Sequence, residues 1–268
     1  MISERQKKVA VWMHGSSGKM GKEILSAIQS QDIFKVVGGN GRTFEGDPFL
    51  QGKKVTATLL AGALKKDHVE VIFDFTNQEG SRQLIDAISE SGLRNLFVVI
   101  GSTGLDDTSV KRWRDLADSN KLAVLIAPNT SIGVLVSSKL AAKAAAALFP
   151  KGFDIEIVET HHRAKIDAPS GTAKHYARQI LAKLESLKQV FPRTGARQKN
   201  EIGMHAVRGG GVFGEHEVRL ISDNEEVKIS HRAFSRALFS KGALDLGHWL
   251  RAQKPGFYQL EDVKMSDL

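Results

Sequence analysis

Between Glu159 and Ala173 the chain reads Glu159-Thr160-His161-His162-Arg163-Ala164-Lys165-Ile166-Asp167-Ala168-Pro169-Ser170-Gly171-Thr172-Ala173. Two adjacent histidines, an arginine, a lysine and an aspartate fall within seven positions. Imidazole and ammonium groups in one loop can hold and release protons when their surroundings tune them. The Pro-Ser-Gly-Thr that follows predicts a turn opening a helix. Ser170 would cap that helix, and the same helix end attracts anions. A proton donor and an anion site would then meet at one place. On a strand end His161 and His162 would point to opposite sides; in a loop both could face a cleft. A shared zinc ion suits adjacent histidines poorly, and the chain has no cysteine to help. Arg163 and Asp167 are expected to hold the loop by ion pairing.

A second stretch with chemistry in its spacing is Val9-Ala10-Val11-Trp12-Met13-His14-Gly15-Ser16-Ser17-Gly18-Lys19-Met20-Gly21. An apolar strand runs into a turn punctuated G-x-x-G-x-x-G, then into a helix with Met20, Ile24, Leu25 and Ile28 on one side. Gly15 would permit the tight turn, Gly18 would let the backbone approach a pyrophosphate, and Gly21 would allow close helix–strand packing.

The elements that must position these stretches alternate through the first half. Strands are expected at 9–13, 36–39, 69–75, 96–100 and 122–126, and helices at 19–29, 79–91, 107–119 and 132–149. Short apolar strands alternating with amphipathic helices imply a parallel sheet, and such sheets bind ligands past the carboxyl ends of their strands. Gly15, Gly41-Arg42, Phe75-Thr76, Gly101 to Thr103 and Ala127 to Thr130 all fall just past strand ends. After Phe149 the pattern changes. A strand at 153–160 leads into the histidine loop, then a helix carrying Ala173, Tyr176, Ala177, Ile180, Leu181, Leu184 and Leu187 at helical spacing. Three strands follow at 202–207, 215–221 and 226–231, with Asp223-Asn224-Glu225 as a hairpin turn. A helix at 235–250 closes the chain. The fold class is thus α/β: a Rossmann-type doubly wound parallel sheet plus a second α+β domain with a mixed open sheet. The expected boundaries are 1–131, completed by 236–268, and 132–235. The polar, basic stretch from Lys188 to Glu201, with Pro192 and Gly195, is expected to be a mobile loop.

A length of 268 residues with 41% hydrophobic side chains leaves ample core for two modest domains. Without cysteine there is no disulfide, thiolate nucleophile or cysteine-bound metal. The formal charge of +8 comes from scattered basic residues rather than a clustered face with stacking aromatics. No nucleic-acid partner is therefore expected, and the sign suits anionic small molecules. The polar lead Met1 to Lys8 lacks the apolar stretch of a signal peptide. The apolar run 132–149 is interrupted by Ser137, Ser138, Lys139 and Lys143, so no membrane association is expected, and the cytoplasm is.

The chain resembles the dihydrodipicolinate reductase (4-hydroxy-tetrahydrodipicolinate reductase) family of lysine and diaminopimelate biosynthesis. The resemblance rests on Gly15-x-x-Gly18-Lys19-Met20-Gly21, Asp74-Phe75-Thr76 with Glu79-Gly80, Gly101-Ser102-Thr103-Gly104, Ala127-Pro128-Asn129-Thr130-Ser131-Ile132-Gly133-Val134, and the loop from Glu159 to Ala173. These occur in the family's order and span most of the chain. The resemblance implies an oxidoreductase that delivers hydride from a nicotinamide dinucleotide to a cyclic dicarboxylate, with loss of water. It implies His161 and Lys165 as proton donors, and His162, Gly171 and Thr172 as substrate-binding residues. The cofactor would be held by Gly15, Ser16, Ser17, Gly18, Lys19, Met20, Arg42, Gly101, Ser102, Thr103, Ala127, Pro128, Asn129 and Thr130. It also implies a homotetramer built by the second domain's sheet; from the residues themselves, no metal is expected. Arg236, ahead of the last helix, is expected to serve a second substrate carboxylate.

After the second strand, an NAD-type site places an acidic residue on the ribose diol. Here the chain reads Asn40-Gly41-Arg42-Thr43. By resemblance to the family, Gly41 takes the acid's place and Arg42 that of an arginine that pairs with a 2′-phosphate. NADPH is expected to be preferred and NADH to remain usable. Ala164 stands where some family members carry a further histidine, and Lys19 where arginine is more usual. Two other readings stay open: another Rossmann dehydrogenase acting on an amino or keto acid, and a non-catalytic dinucleotide sensor.

Overall fold

The computed structural model describes residues 8–45 and 51–267, so the polar lead Met1 to Lys7 lies outside the described residues. The chain forms two compact units, one of Met1–Thr130 with Ala237–Leu268, the other of Ser131–Arg236.

Unit 1 contains β1 (Val9–His14), α1 (Lys19–Gln29), β2 (Phe34–Asn40), β3 (Phe44–Glu45), α2 (Ala57–Lys66) and β4 (Val71–Asp74). It continues with α3 (Gln78–Ser91), β5 (Phe97–Ile100), α4 (Asp107–Asn120) and β6 (Ala123–Ile126). The returning segment adds α7 (Ala237–Arg251) and β12 (Gly256–Gln259). The sheet order is β12-β6-β5-β4-β1-β2-β3, parallel except for the antiparallel β2–β3 pair. Side-chain alternation along each strand serves both faces. Trp12, Ile72, Val98 and Val124 form one cluster with Leu60 and Leu64 of α2, Leu84 and Ile88 of α3, and Trp113 of α4. On the other face α1 packs against α7, where a Cβ on Gly247 would meet the Phe73 ring at 2.7 Å. Helices on both faces of a parallel sheet make the Rossmann-type architecture.

Unit 2 contains α5 (Ile132–Leu148), a 3₁₀ turn, β7 (Asp154–His161), α6 (Gly171–Leu181), β8 (Lys188–Val190), β9 (Glu201–Arg208), β10 (Gly214–Ile221) and β11 (Glu226–Ala233). Its sheet runs β11-β10-β7-β9-β8; β7–β9 and β8–β9 are parallel, the other pairs antiparallel. Ile155, Ile157, Ile202, Met204, Val218 and Leu220 face the helices and share a core with Ala141 of α5 and Tyr176 of α6. Ser222 N–H donates to Glu225 O at 2.9 Å, closing the expected hairpin turn.

Four expectations need correction. First, α6 ends at Leu181, yet Leu187 is buried beside it. The turn after the helix also faces the core, so the apolar spacing outlasts the helix itself. Second, the stretch from Lys188 is not a plain loop. It holds β8, and Arg193 and Arg197 donate to Glu156 at 2.6 and 2.9 Å while His205 lies 2.6 Å from the same carboxylate. Third, the sequence spacing overlooked β3, α2, β8 and β12. Fourth, Ile132–Lys151 is long and apolar enough to cross a membrane by composition. Here that helix packs Val134, Ala141, Ala142 and Ala145 into the core of unit 2.

Candidate active site

In unit 1 the backbone builds the candidate dinucleotide site. Gly15 N–H and Ser16 N–H donate to Asn40 O at 2.7 and 3.0 Å, and Phe75 N–H donates to His14 O at 2.9 Å. Gly101 N–H donates to Asp74 O and Ala127 N–H to Ile100 O, both at 2.8 Å. Gly15, Phe75, Gly101 and Ala127 therefore form a row along the carboxyl edge of β1, β4, β5 and β6. The strand order reverses between β1 and β4, the position where such sheets open a crevice.

Gly15 has φ +99°, and a Cβ there would lie 2.7 Å from Phe75 O. A Cβ on Gly21 would lie 2.1 Å from Gly15 O, so α1 can approach its own turn only without a side chain at that position. Thr56, Asn77, Asp106, Ser131 and Ser170 each cap the helix that follows with a side-chain oxygen. Gly18, at the start of α1, has no such oxygen. The first-turn amides of α1 thus receive no side-chain cap from position 18. Ser17, Gly18 and Lys19 are exposed around that turn, while Met20 is partly covered. Arg42 and Thr43 are exposed just past β2. Ser102 is buried and donates to Asp74 Oδ1 at 3.1 Å, whereas Thr103 and Pro128 are exposed and Asn129 partly so. Thr130 donates its hydroxyl to Phe239 O at 2.7 Å.

In unit 2 the strand β7 sets the chemistry. Alternation puts Ile155, Ile157, Glu159 and His161 on the helix-covered face, and all four are buried. Glu159 is 1% exposed and receives several donors. Arg208 Nη1 and Nη2 donate to Oε2 and Oε1 at 2.9 and 2.8 Å, Ser170 N–H donates to Oε1 at 3.0 Å, and His161 Nδ1 contacts Oε2. Burial raises the Glu159 carboxyl's pKa, but the donors from His161, Arg208 and Ser170 outweigh it and bring the group down to about 2. On β10, directly across from Glu159, stands His216. Its Nε2 lies 3.1 Å from Ser170 Oγ, its ring meets His161 edge-on at 5.1 Å, and Tyr176 stacks over it at 5.9 Å. Burial, then the nearby His161, pushes the His216 pKa down to about 3, so the ring is neutral.

The loop brings the other expected residues to the same end of the sheet. His162 is partly exposed, with its N–H on Val212 O at 2.7 Å. Lys165 Nζ donates to Asp167 Oδ1 at 2.7 Å, which lowers the Asp167 pKa, and Arg208 Nη2 donates to Asp167 O at 2.6 Å. Asp167 thus ties the loop as expected. Arg163 does not: it is exposed, and its side chain makes no ion pair with any described residue. Ser170 Oγ accepts from Ala173 N–H at 3.1 Å and caps α6. Gly171 is exposed, and a Cβ there would meet nothing within 4 Å, so the helix end opens to an incoming anion. Arg236 is exposed at the end of unit 2.

Sequence reasoning gave no role to Glu159, Arg208 or His216. Alternation marks Glu159 and His161 as sharing a face, and that signal could have paired them. Nothing local pairs Arg208 with a carboxylate 49 positions earlier. Glu159, His161 and His216 offer ligand atoms within 4.8 Å of one another. Both Glu159 oxygens are already engaged by Arg208.

The chain matches the family model described as dihydrodipicolinate reductase, N-terminus, over residues 8–130 and its C-terminus counterpart over residues 133–263. It is 38% identical over 257 residues to a 4-hydroxy-tetrahydrodipicolinate reductase of Caldanaerobacter subterraneus subsp. tengcongensis, covering 94% of this chain and 96% of that one. A protein of the same name from Aquifex aeolicus is 36% identical over 263 residues, covering 95% and 98%. Among solved structures, a dipicolinate-bound dihydrodipicolinate reductase from Paenisporosarcina sp. TG-14 superposes with a TM-score of 0.76 at 26% identity, covering 96% of this chain and all of that one.

Proposed function

The chain belongs to the dihydrodipicolinate reductase family, and on that premise we propose how its own residues carry out the reaction. The reaction is the reduction of 4-hydroxy-tetrahydrodipicolinate by a nicotinamide dinucleotide. One hydride and one proton enter the substrate, water leaves, and tetrahydrodipicolinate and the oxidised dinucleotide are the products. The observation that carries this reading is the meeting, on one strand end, of His161 with the Ser170-capped N-terminus of α6.

The dinucleotide supplies the hydride when bound. Gly15 to Met20 would hold its pyrophosphate through the uncapped end of α1, on a turn whose shape a Cβ at Gly15 or Gly21 would disrupt against Phe75 O or Gly15 O. Gly101 to Thr103 and Ala127 to Thr130 would line the rest of the site. Arg42, with Thr43, would take a 2′-phosphate, so NADPH is preferred and NADH still used. In unit 2, Gly171 and Thr172 offer the helix end to a substrate carboxylate, and His162 adds a donor. His161 gives the proton through Nε2, since Nδ1 faces Glu159. Lys165, tethered by Asp167, is the second donor and the charge partner of a carboxylate. The protein is a small-molecule enzyme with no nucleic-acid or membrane partner, working in the cytoplasm as a homotetramer.

A cofactor-oxidation assay with freshly generated substrate, run with NADH and NADPH in parallel, tests the reading. Substrate-dependent oxidation of both, faster with NADPH, is expected. Absence of oxidation with either would return the chain to the sensor reading. Turnover only with an amino or keto acid would favour the other dehydrogenase reading.

A further inference from the structure

We propose that Glu159 is a positioning residue for the reaction: it holds His161 with a proton on Nδ1 and Nε2 presented, and Arg208 holds Glu159 in that role. The inference rests on the proposed reduction and assigns it two residues outside the expected site.

Four observations support it. Glu159 and His161 stand two residues apart on one strand, so their side chains leave the same face side by side. The carboxylate is buried, and an ionised carboxylate can only accept. The imidazole nitrogen against it must therefore carry the hydrogen, and the other nitrogen is left for chemistry. That other nitrogen, Nε2, looks toward Gly214, where an added Cβ would come within 3.0 Å of it. The absence of a side chain at 214 keeps this approach clear. Finally, Arg208 stands opposite His161 in the parallel β7–β9 register and grips both Glu159 oxygens with its fork.

The charge arrangement explains why both residues are needed. A buried carboxylate with only an imidazole for company would draw the proton across to itself. With Arg208 on both oxygens it stays ionised, and the proton stays on the ring. The charged and titratable groups around His161 are Glu159 on β7, Arg208 on β9, His216 on β10, and Lys165 with Asp167 on the loop. His216 is neutral and brings no rival positive charge. Glu159 also accepts Ser170 N–H, so the proton donor and the start of the anion-binding helix share one anchor.

A purely structural ion pair would hold the loop without fixing the ring's tautomer, and the test separates the two. In the wild-type protein, nitrogen NMR of the imidazoles, with His161 assigned by comparison with His161→Gln, should show Nδ1 of His161 protonated and hydrogen-bonded. A neutral ring protonated at Nε2 instead would overturn the proposal, whether or not the Glu159 and Arg208 variants fold. Glu159→Gln keeps the shape but can turn a donor toward the ring. It should lower kcat by about 100-fold, leave the substrate KM within about threefold, and shift the alkaline limb of the kcat/KM profile to lower pH. Arg208→Lys keeps a charge without the fork and should give the same changes at smaller amplitude. An unshifted profile and unchanged ring signals in Glu159→Gln would sink the proposal while leaving the reductase reading intact. A wild-type protein that fails to reduce the substrate would sink that reading, and the ring-nitrogen measurement would still decide on Glu159.

Discussion

After β1 the groups that matter are backbone amides, made available because side chains are missing. After β7 they are side chains, made useful because other side chains hold them. Gly15, Gly18 and Gly21 work within seven residues, and their partners are each other: Gly18 N–H donates to Gly15 O at 3.0 Å, and Gly21 packs on the same carbonyl. His161 lies against Glu159 of its own strand and His216 of β10, and Glu159 in turn accepts from Arg208 of β9 and from Ser170, the cap of α6. The first site is set mainly by sterics, and its buried acid, Asp74, serves to hold Thr76 and Ser102. The second is set by electrostatics, so it should respond to pH and to isosteric changes of charge.

The largest expected effect is on stability in acid. As pH falls below about 6.5, the unfolded chain takes up a proton at His216 that the folded chain refuses until about 3. Glu159 adds to this between its ordinary 4.5 and about 2. In both cases the unfolded state binds more protons, so stability falls as pH falls, by roughly several kcal/mol near pH 3. Hydrogen-exchange protection, followed along the chain, should decline in Ser131–Arg236 before Met1–Thr130, and His216→Gln should flatten the decline. Equal loss in both units, unchanged in the variant, would dissolve the electrostatic contrast.

Next come the proton donors. His161→Ala or Lys165→Ala should each lower turnover by ~100-fold or more with dinucleotide affinity nearly intact. Near-normal turnover in both variants would remove chemistry from the unit 2 loop. On the other side of the comparison, Gly21→Ala adds one methyl group aimed at Gly15 O. It should cost about 1–3 kcal/mol of stability and weaken dinucleotide binding by about tenfold, without moving the pH profile. A shifted profile would mean that the two sites are less separate than their construction implies. The smallest effect is expected at Arg42, an exposed residue past β2. Arg42→Ala should raise the NADPH KM by about fivefold and barely change that for NADH; a strong wild-type preference for NADH would show that Arg42 has another use.

The contrast also explains what could be read in advance. The span Lys19–Gln29 of α1 follows from its apolar spacing and the glycine before it, because local spacing and turn chemistry suffice there. Helix α2 escaped because it is only ten residues long, with Gly62 in its middle. β3 and β8 escaped because two or three residues carry no measurable period, and β12 because Gly-Phe-Tyr-Gln lacks the continuous apolar run that marks β4, β5 and β6. The stretch from Lys188 looked like a loop because its arginines appear solvated in sequence; their partner Glu156 lies 37 and 41 positions earlier.

By itself the sequence determined the doubly wound first unit, the mixed sheet of the second, the glycine turn and the residue types of the histidine loop. Those features rest on period, turn residues and motif order, which are local properties of the chain. Tertiary structure alone decided that Glu159 contacts His161 and Arg208 grips Glu159, that His216 stays neutral beside them, and that Arg163 stands apart while Asp167 does the tying. Charge–charge contact and desolvation depend on distances through space, and strand pairing sets those distances between residues that the sequence keeps far apart.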